Sequence, residues 1–263
     1  MVLDSHVHIT ESIELLLKNM EIAGVERSVV CSSRLAQGED IQSLQDFVEQ
    51  MNNIASVNEG KPKNVENIFR ENRYLAQKKE EYSNKLLFLG KVDLRSDSKS
   101  IKSQLDQIHN LGLAGVGEIT GIPQNFMSLK NLMNYNKSKG YNLPLFAHAD
   151  DPVDRETINK MVSLAQKYNE IPFIMGHLGG KYWTEVVEKT KTDSNLFLEI
   201  SEISNAIPIK VAAREVPGQV IFGSDFPWDF PQANLARLAN MDISKKIKEK
   251  ILYKNAASIF DII

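Results

Sequence analysis

The sequence predicts a (β/α)8 TIM barrel, distorted and carrying a helical insertion after its second strand, on three observations. Strand-like and helix-like patterns alternate eight times along 263 residues, close to the roughly 250 residues of a single barrel of this kind. The strands are near-continuous apolar runs, such as Leu86-Leu87-Phe88-Leu89 and Leu196-Phe197-Leu198, as a parallel sheet buried on both faces requires. No Gly-x-Gly-x-x-Gly run favours a doubly wound dinucleotide fold instead. The chain 1–263 is therefore read as one barrel domain with the insertion at about 34–84.

The opening stretch, Asp4 to Ile9, reads as a short strand. Ser12 to Ile22 is apolar at Ile13, Leu16, Leu17 and Met20, a helical spacing closed by Gly24, and a second strand spans about Ser28 to Ser32. Two polar, helix-period stretches follow, around Ile41 to Val57 and Val65 to Tyr82, and form the insertion. The second carries opposite charges at helical spacing, a solvated face. Because an excursion of this kind leaves the C-terminal end of a strand, it is a candidate lid.

From Leu86 the alternation is regular. Strands are expected at Leu86–Val92, Gly115–Ile119, Leu143–His148, Pro172–Met175, Leu196–Ile200 and Val220–Phe222. Helices are expected at Ser98–Asn110, Leu129–Lys139, Asp154–Tyr168, Trp183–Lys191 and Ile207–Arg214, with closing helices from Ala233 onward.

Composition excludes some partners. With 42% hydrophobic and 25% charged residues and a formal net charge of -3, the chain has no basic footprint for nucleic acid. No apolar run approaches the roughly 18 to 20 residues that cross a bilayer, so no membrane partner is expected. The single cysteine, Cys31, cannot form an intrachain disulfide and closes an apolar strand, and the first residues form no leader, which together place the chain in the cytoplasm. Homodimers are the commonest assembly of such enzymes, and a homodimer is expected on that ground alone.

Function is read from where the polar residues fall. His6 and His8, at i and i+2 of a strand, send both imidazoles to one face and make a metal half-site. Glu118 ends the fourth strand, His148 the fifth, His177 follows the sixth and Asp225 the eighth. All six positions belong to the rim where barrel active sites sit. Only His109, near a helix C-terminus, lies elsewhere among the five histidines. Each residue alone is more often a core histidine or a helix cap, but buried imidazoles and carboxylates gathered at one rim need a cation to offset their desolvation and repulsion. The donor set, without thiolate, suits a divalent metal, zinc first, with manganese or iron as alternatives and one or two ions. A metal with open positions lowers the pKa of bound water towards 7, and the implied chemistry is metal-assisted hydrolysis of a small-molecule substrate.

At these positions the chain resembles the amidohydrolase superfamily, in particular its amidohydrolase 2 branch. The likeness rests on Asp4-Ser5-His6-Val7-His8, Phe146-Ala147-His148, Gly176-His177-Leu178-Gly179-Gly180, Phe222-Gly223-Ser224-Asp225-Phe226-Pro227-Trp228 and Asn255-Ala256-Ala257-Ser258-Ile259-Phe260. It implies that His6, His8 and Asp225 ligate a first metal. It also implies that Asp225 takes the proton of the attacking water and passes it to the leaving group. His148 would be a further ligand, and His177 would ligate a second metal or polarise the substrate carbonyl. Glu118 departs from members with a carboxylated lysine on the fourth strand and matches TatD-type hydrolases, in which a glutamate bridges two ions. The alternative is that Glu118 binds no metal and instead orients His6 or His8.

The resulting expectation is a hydrolase that uses a metal-bound hydroxide to attack an ester, lactone or amide carbonyl. The alternative, from the same branch, is a mononuclear metal-dependent decarboxylase of an aromatic or unsaturated carboxylic acid. The intact His6-x-His8 pair and Glu118 favour the former. Phe126, Arg155, Lys181, Trp183 and Trp228 follow strand ends and are candidate pocket residues, and Gly179-Gly180 permits close backbone approach to a ligand.

Overall fold

The computed structural model describes residues 1–9, 12–31, 41–59, 63–192 and 195–262. Eight strands run parallel in sequence order: β1 Leu3–His8, β2 Arg27–Cys31, β3 Leu86–Gly90, β4 Gly115–Ile119, β5 Leu145–Ala147, β6 Phe173–Met175, β7 Leu196–Glu199 and β8 Val220–Ile221. β8 is short, and the chain just beyond it closes the ring. Ser5 N–H donates to Phe222 O at 2.9 Å, Asp225 N–H to His6 O at 2.8 Å and His8 N–H to Phe226 O at 2.7 Å. Register shifts between Asp4 and Val7 in β1, and between Val116 and Ile119 in β4, distort the barrel next to His6 and Glu118.

Helices α1 Ile13–Ala23, α2 Leu44–Glu59, α3 Val65–Tyr82, α4 Ser98–Asn110, α5 Ile122–Ser138, α6 Arg155–Lys167, α7 Trp183–Thr190, α8 Ala206–Glu215, α9 Pro231–Ala239, α10 Lys245–Glu249 and α11 Asn255–Ile259 connect and follow the strands, with α2 and α3 both between β2 and β3 and α9 to α11 after β8. Of the two helices expected in the insertion, α3 buries Ile68, Asn72 and Leu75 and packs on β3 and α4, so it takes a place in the outer ring. The extra helix is α2, whose Leu44, Phe47, Val48 and Met51 are exposed. Residues 34–40 and 60–62 of the insertion lie outside the described residues.

α5 begins seven residues earlier than the periodicity suggests. Gly121 in the left-handed region precedes it and Pro123 occupies its first turn, where a missing N–H costs nothing. Non-helical dihedrals at Asn125 kink that turn and hide it from a periodicity argument. His148 lies one residue past the observed end of β5.

The barrel interior is a packed plug. Leu3, Val29, Leu89, Phe146, Ile174, Phe197 and Ile221 form one cluster, with Ala256 and Ile259 of α11 packed into it. On β4 the inward position is Gly117, because a Cβ there would lie 2.6 Å from Phe146 Cβ. A second, larger cluster fills the layer between strands and helices. The Asn255 amide donates to Pro217 O and Val220 O, which fixes the closing helices to β8. No helix among the described residues is long and apolar enough to cross a membrane. Cys31 is fully buried and burial pushes its thiol up, consistent with a packing role.

Candidate metal centre

The polar site stands on the apolar plug at the C-terminal rim, with the His6 ring 4.6 Å from the Phe146 ring. His6 and His8 are buried and their Nε2 atoms face each other at 3.1 Å. The backbone seam that closes the barrel swings Asp225 over them. Its residue takes a left-handed φ of 58°, unusual without glycine, and Oδ1 lies 2.9 Å from His8 Nε2 and 3.3 Å from His6 Nε2. Asp4 fastens the same seam from below: its Oδ1 accepts the N–H groups of His6 at 3.2 Å and Ser224 at 2.9 Å. Burial pushes the Asp4 carboxyl up to about 7.

Glu118, His148 and His177 form the other half. Glu118 Oε1 lies 2.9 Å from His148 Nδ1 and 3.6 Å from His177 Nε2, while Oε2 lies 3.8 Å from both His6 and His8 Nε2. The carboxylate therefore stands between the two halves. His177 Nε2 and His148 Nδ1 are 3.2 Å apart, and His148 Nε2 lies 3.2 Å from Asp151 O. Ligand atoms of His6–His8–Glu118, of Glu118–His148–His177 and of His6–His177–Asp225 each fall within 4.8 Å of one another. All six residues singled out in the sequence thus meet at one place. His148, 24% exposed at its side chain, marks the open side.

The donor chemistry fits a divalent cation. Asp225 Oδ1 is a buried oxygen that no hydrogen bond reaches, although two ring nitrogens face it. Two imidazole nitrogens at 3.1 Å and two more at 3.2 Å cannot all carry lone pairs toward each other without a positive charge between them. The protein's own charges show the same need. Burial disfavours the cationic form of His6 and His177, yet the surrounding carboxylates outweigh it, raising His6 well above its ordinary value and His177 to about 9. Burial likewise disfavours the Glu118 carboxylate, and the neighbouring imidazoles hold its pKa well below the usual range despite that.

Three further groups escaped the sequence reading. Glu199, the last residue of β7, is fully buried, as is Ser201 two residues on. Glu199 Oε2 lies 3.2 Å from His6 Nδ1 and accepts the His177 N–H at 3.2 Å. Glu202 stands near the open side at a left-handed φ of 56°, and burial and the neighbouring Asp225 charge raise its carboxyl. The strand-end rule that singles out Glu118 applies equally to Glu199 in Leu196-Phe197-Leu198-Glu199.

The candidate pocket residues fare less well. Phe126 lines a surface cleft of about 390 Å³ between α5 and α6, together with Lys130 and Lys160. Arg155 pairs with Glu185 at 3.2 Å and Lys181 with Asp151 at 3.6 Å, both exposed pairs. Trp183 packs half-buried against the helix layer, and Trp228 is half-buried in the turn after Asp225. Gly179 and Gly180 have positive φ, and a Cβ on them would strike Val186 and Asp150, so their close approach is to the protein itself. His109 ends α4 and stacks on Tyr141 with ring centroids 3.8 Å apart, away from the centre.

A barrel whose C-terminal rim gathers four histidines and two carboxylates is the architecture of metal-dependent barrel enzymes. The amidohydrolase family model matches residues 4–262, and the chain belongs to that family and is an enzyme. No curated protein matches the sequence. Among solved structures, a putative amidohydrolase from Staphylococcus aureus superposes with a TM-score of 0.72 at 14% identity, covering 99% of each chain. A 2,6-dihydroxybenzoate decarboxylase from Rhizobium gives 0.69 at 15% identity over 99% of this chain and 98% of its own. A dihydroxybenzoic acid decarboxylase from a Polaromonas species, with bound manganese and 2-nitroresorcinol, gives 0.69 at 13% identity over 99% and 97%. At these identities the likeness is one of fold.

Proposed function

We propose that the chain is a divalent-metal-dependent enzyme acting on a small carboxylic acid, with decarboxylation of an aromatic or unsaturated acid as the leading reaction. The observation that carries the metal is the buried Asp225 Oδ1, without a hydrogen bond and facing the ring nitrogens of His6 and His8. Decarboxylation leads over hydrolysis because two of the similar structures described above are dihydroxybenzoate decarboxylases. One of them holds manganese, so manganese stands beside zinc as the ion.

A divalent ion bound there would supply a Lewis acid to polarise the substrate's oxygen atoms and offset negative charge developing on them. His6, His8 and Asp225 would hold it, with His148 and His177 on the far side of Glu118. Loss of carbon dioxide breaks one C–C bond and leaves the electron pair on the substrate, so a proton must reach that carbon. Asp225 is placed to carry a proton drawn from solvent and deliver it to that carbon, so that one proton is consumed for each carboxylate lost as carbon dioxide. The buried rings of His6, His8 and Phe146 form a floor that keeps water from the reacting carbon.

A second reading, hydrolysis of an ester, lactone or amide, is favoured by one observation: each oxygen of Glu118 faces a different half of the site, as a carboxylate bridging two ions would. The deciding experiment incubates manganese-loaded and zinc-loaded protein with hydroxybenzoates, unsaturated acids, lactones and esters. Carbon dioxide release from an acid, abolished by a chelator, supports decarboxylation. Turnover of esters or lactones alone overturns it in favour of hydrolysis.

A further inference from the structure

Glu199 and Ser201 lie beneath the centre, on the side of His6 and His177 turned away from it. Glu199 Oε2 has three donors around it: the His177 backbone N–H at 3.2 Å, Ser201 Oγ–H at 2.9 Å and His6 Nδ1 at 3.2 Å. Oε1 accepts the Ser201 backbone N–H. Ser201 Oγ also lies 3.1 Å from His177 Nδ1 and 3.3 Å from His6 Nδ1.

The hydrogen bonds admit an arrangement of protons that satisfies every contact around Glu199. A carboxylate only accepts, so the Ser201 hydroxyl hydrogen goes to Glu199 and His6 Nδ1 carries a proton for the same oxygen. With its hydrogen spent, Ser201 Oγ faces His177 as an acceptor, and His177 Nδ1 carries a proton too. Both rings then have their lone pairs on Nε2, the atoms that face Asp225 and Glu118. His148 is set the opposite way, its Nε2 toward Asp151 O and its Nδ1 toward the centre. The packing leaves little slack: a Cβ on Gly223 would collide with Glu199 Oε1 and His6 Cβ.

We propose that Glu199 and Ser201 are a positioning pair that fixes the protons of His6 and His177 on Nδ1, turning both Nε2 lone pairs inward and tying the two halves of the centre to one buried carboxylate. The inference deepens the metal-dependent reading and rests on it for its purpose. Groups that orient metal-ligating histidines in this way typically change metal affinity 10- to 100-fold when removed, roughly speaking.

The test compares wild type with Ser201→Ala, which deletes one hydroxyl, and Glu199→Gln, which puts an amide donor against groups that already donate. Nitrogen-15 NMR of the metal-free protein, taken at a pH above the value of about 9 to which the carboxylates raise His177 so that its ring is neutral, reads the tautomer, and competition with a chelator reads Mn(II) affinity. The expected result is a single Nδ1–H tautomer at His177 in the wild type. In Ser201→Ala that preference is lost at His177 but kept at His148 in its opposite form, and Mn(II) affinity falls about 10-fold or more. An unchanged His177 tautomer in Ser201→Ala overturns the proposal whatever the affinity does, and this variant serves even if Glu199→Gln fails to fold. A wild type that binds no Mn(II) but shows the tautomer change sinks the metal-dependent reading and leaves the positioning role standing.

Discussion

Asp225 Oδ1 lies 2.9 Å from His8 Nε2, buried, with no hydrogen bond to satisfy it. An oxygen so placed is positioned to meet a metal or a substrate. Asp225→Asn should lower kcat/KM by about 100- to 10,000-fold, the range typical of a lost proton-transfer group. Far-UV circular dichroism should stay native, because Asp4 and the backbone hydrogen bonds hold the seam. Activity within a few fold of wild type would remove Asp225 from the mechanism.

Glu118 decides the ion count. The leading reaction predicts one ion per chain in wild type and in Glu118→Gln, measured by elemental analysis after gel filtration. A fall from two ions to one would identify Glu118 as a bridge and favour hydrolysis.

Asp93, just beyond β3, provides a pH signature away from the centre. Burial pushes its carboxyl up, but the fork of Arg95, at 2.7 Å to each carboxylate oxygen, and the N–H groups of Lys63 and Arg95 outweigh that and lower it. A pKa lower in the folded than in the unfolded chain stabilises the fold above the unfolded value, near 4, and the stabilisation is lost as pH falls through the folded value. Asp93→Asn should therefore cost about 1–3 kcal/mol at pH 7. The gap between variant and wild type in urea titrations should shrink below about pH 4. A gap that grows on acidification would contradict the assignment.

Gly223 is tightly enclosed, since a methyl there would meet both Glu199 and His6. Gly223→Ala should destabilise by about 1–3 kcal/mol, the usual range for overpacking. It should also weaken metal binding, because His6 must shift. Calorimetry and a metal titration on the same sample check both.

The strand positions were legible because a parallel sheet buried on both faces writes itself as apolar runs, and His6, His8, Glu118, His148, His177 and Asp225 were legible because those runs end in polar residues. What the sequence hid follows from geometry. Glu199 carries the same strand-end signal as Glu118, but its partner Ser201 is recognisable only once β7 pairs with β6 and the barrel brings His6 of β1 within reach. The start of α5 was hidden by Pro123 and the Asn125 kink, which break the helical period without ending the helix. Phe126, Arg155 and Lys181 were plausible by position alone, and their side chains turn to clefts and ion pairs that no spacing reveals.

The central claim is that the rim built on His6 and His8 holds a divalent metal. Elemental analysis of protein grown with added manganese and zinc, then freed of loose ions by gel filtration, tests it directly, with a His6→Ala, His8→Ala double variant as control. The expected result is at least one ion per wild-type chain and none in the variant. Wild-type protein that is folded and carries no metal, or a double variant that carries as much, would contradict it.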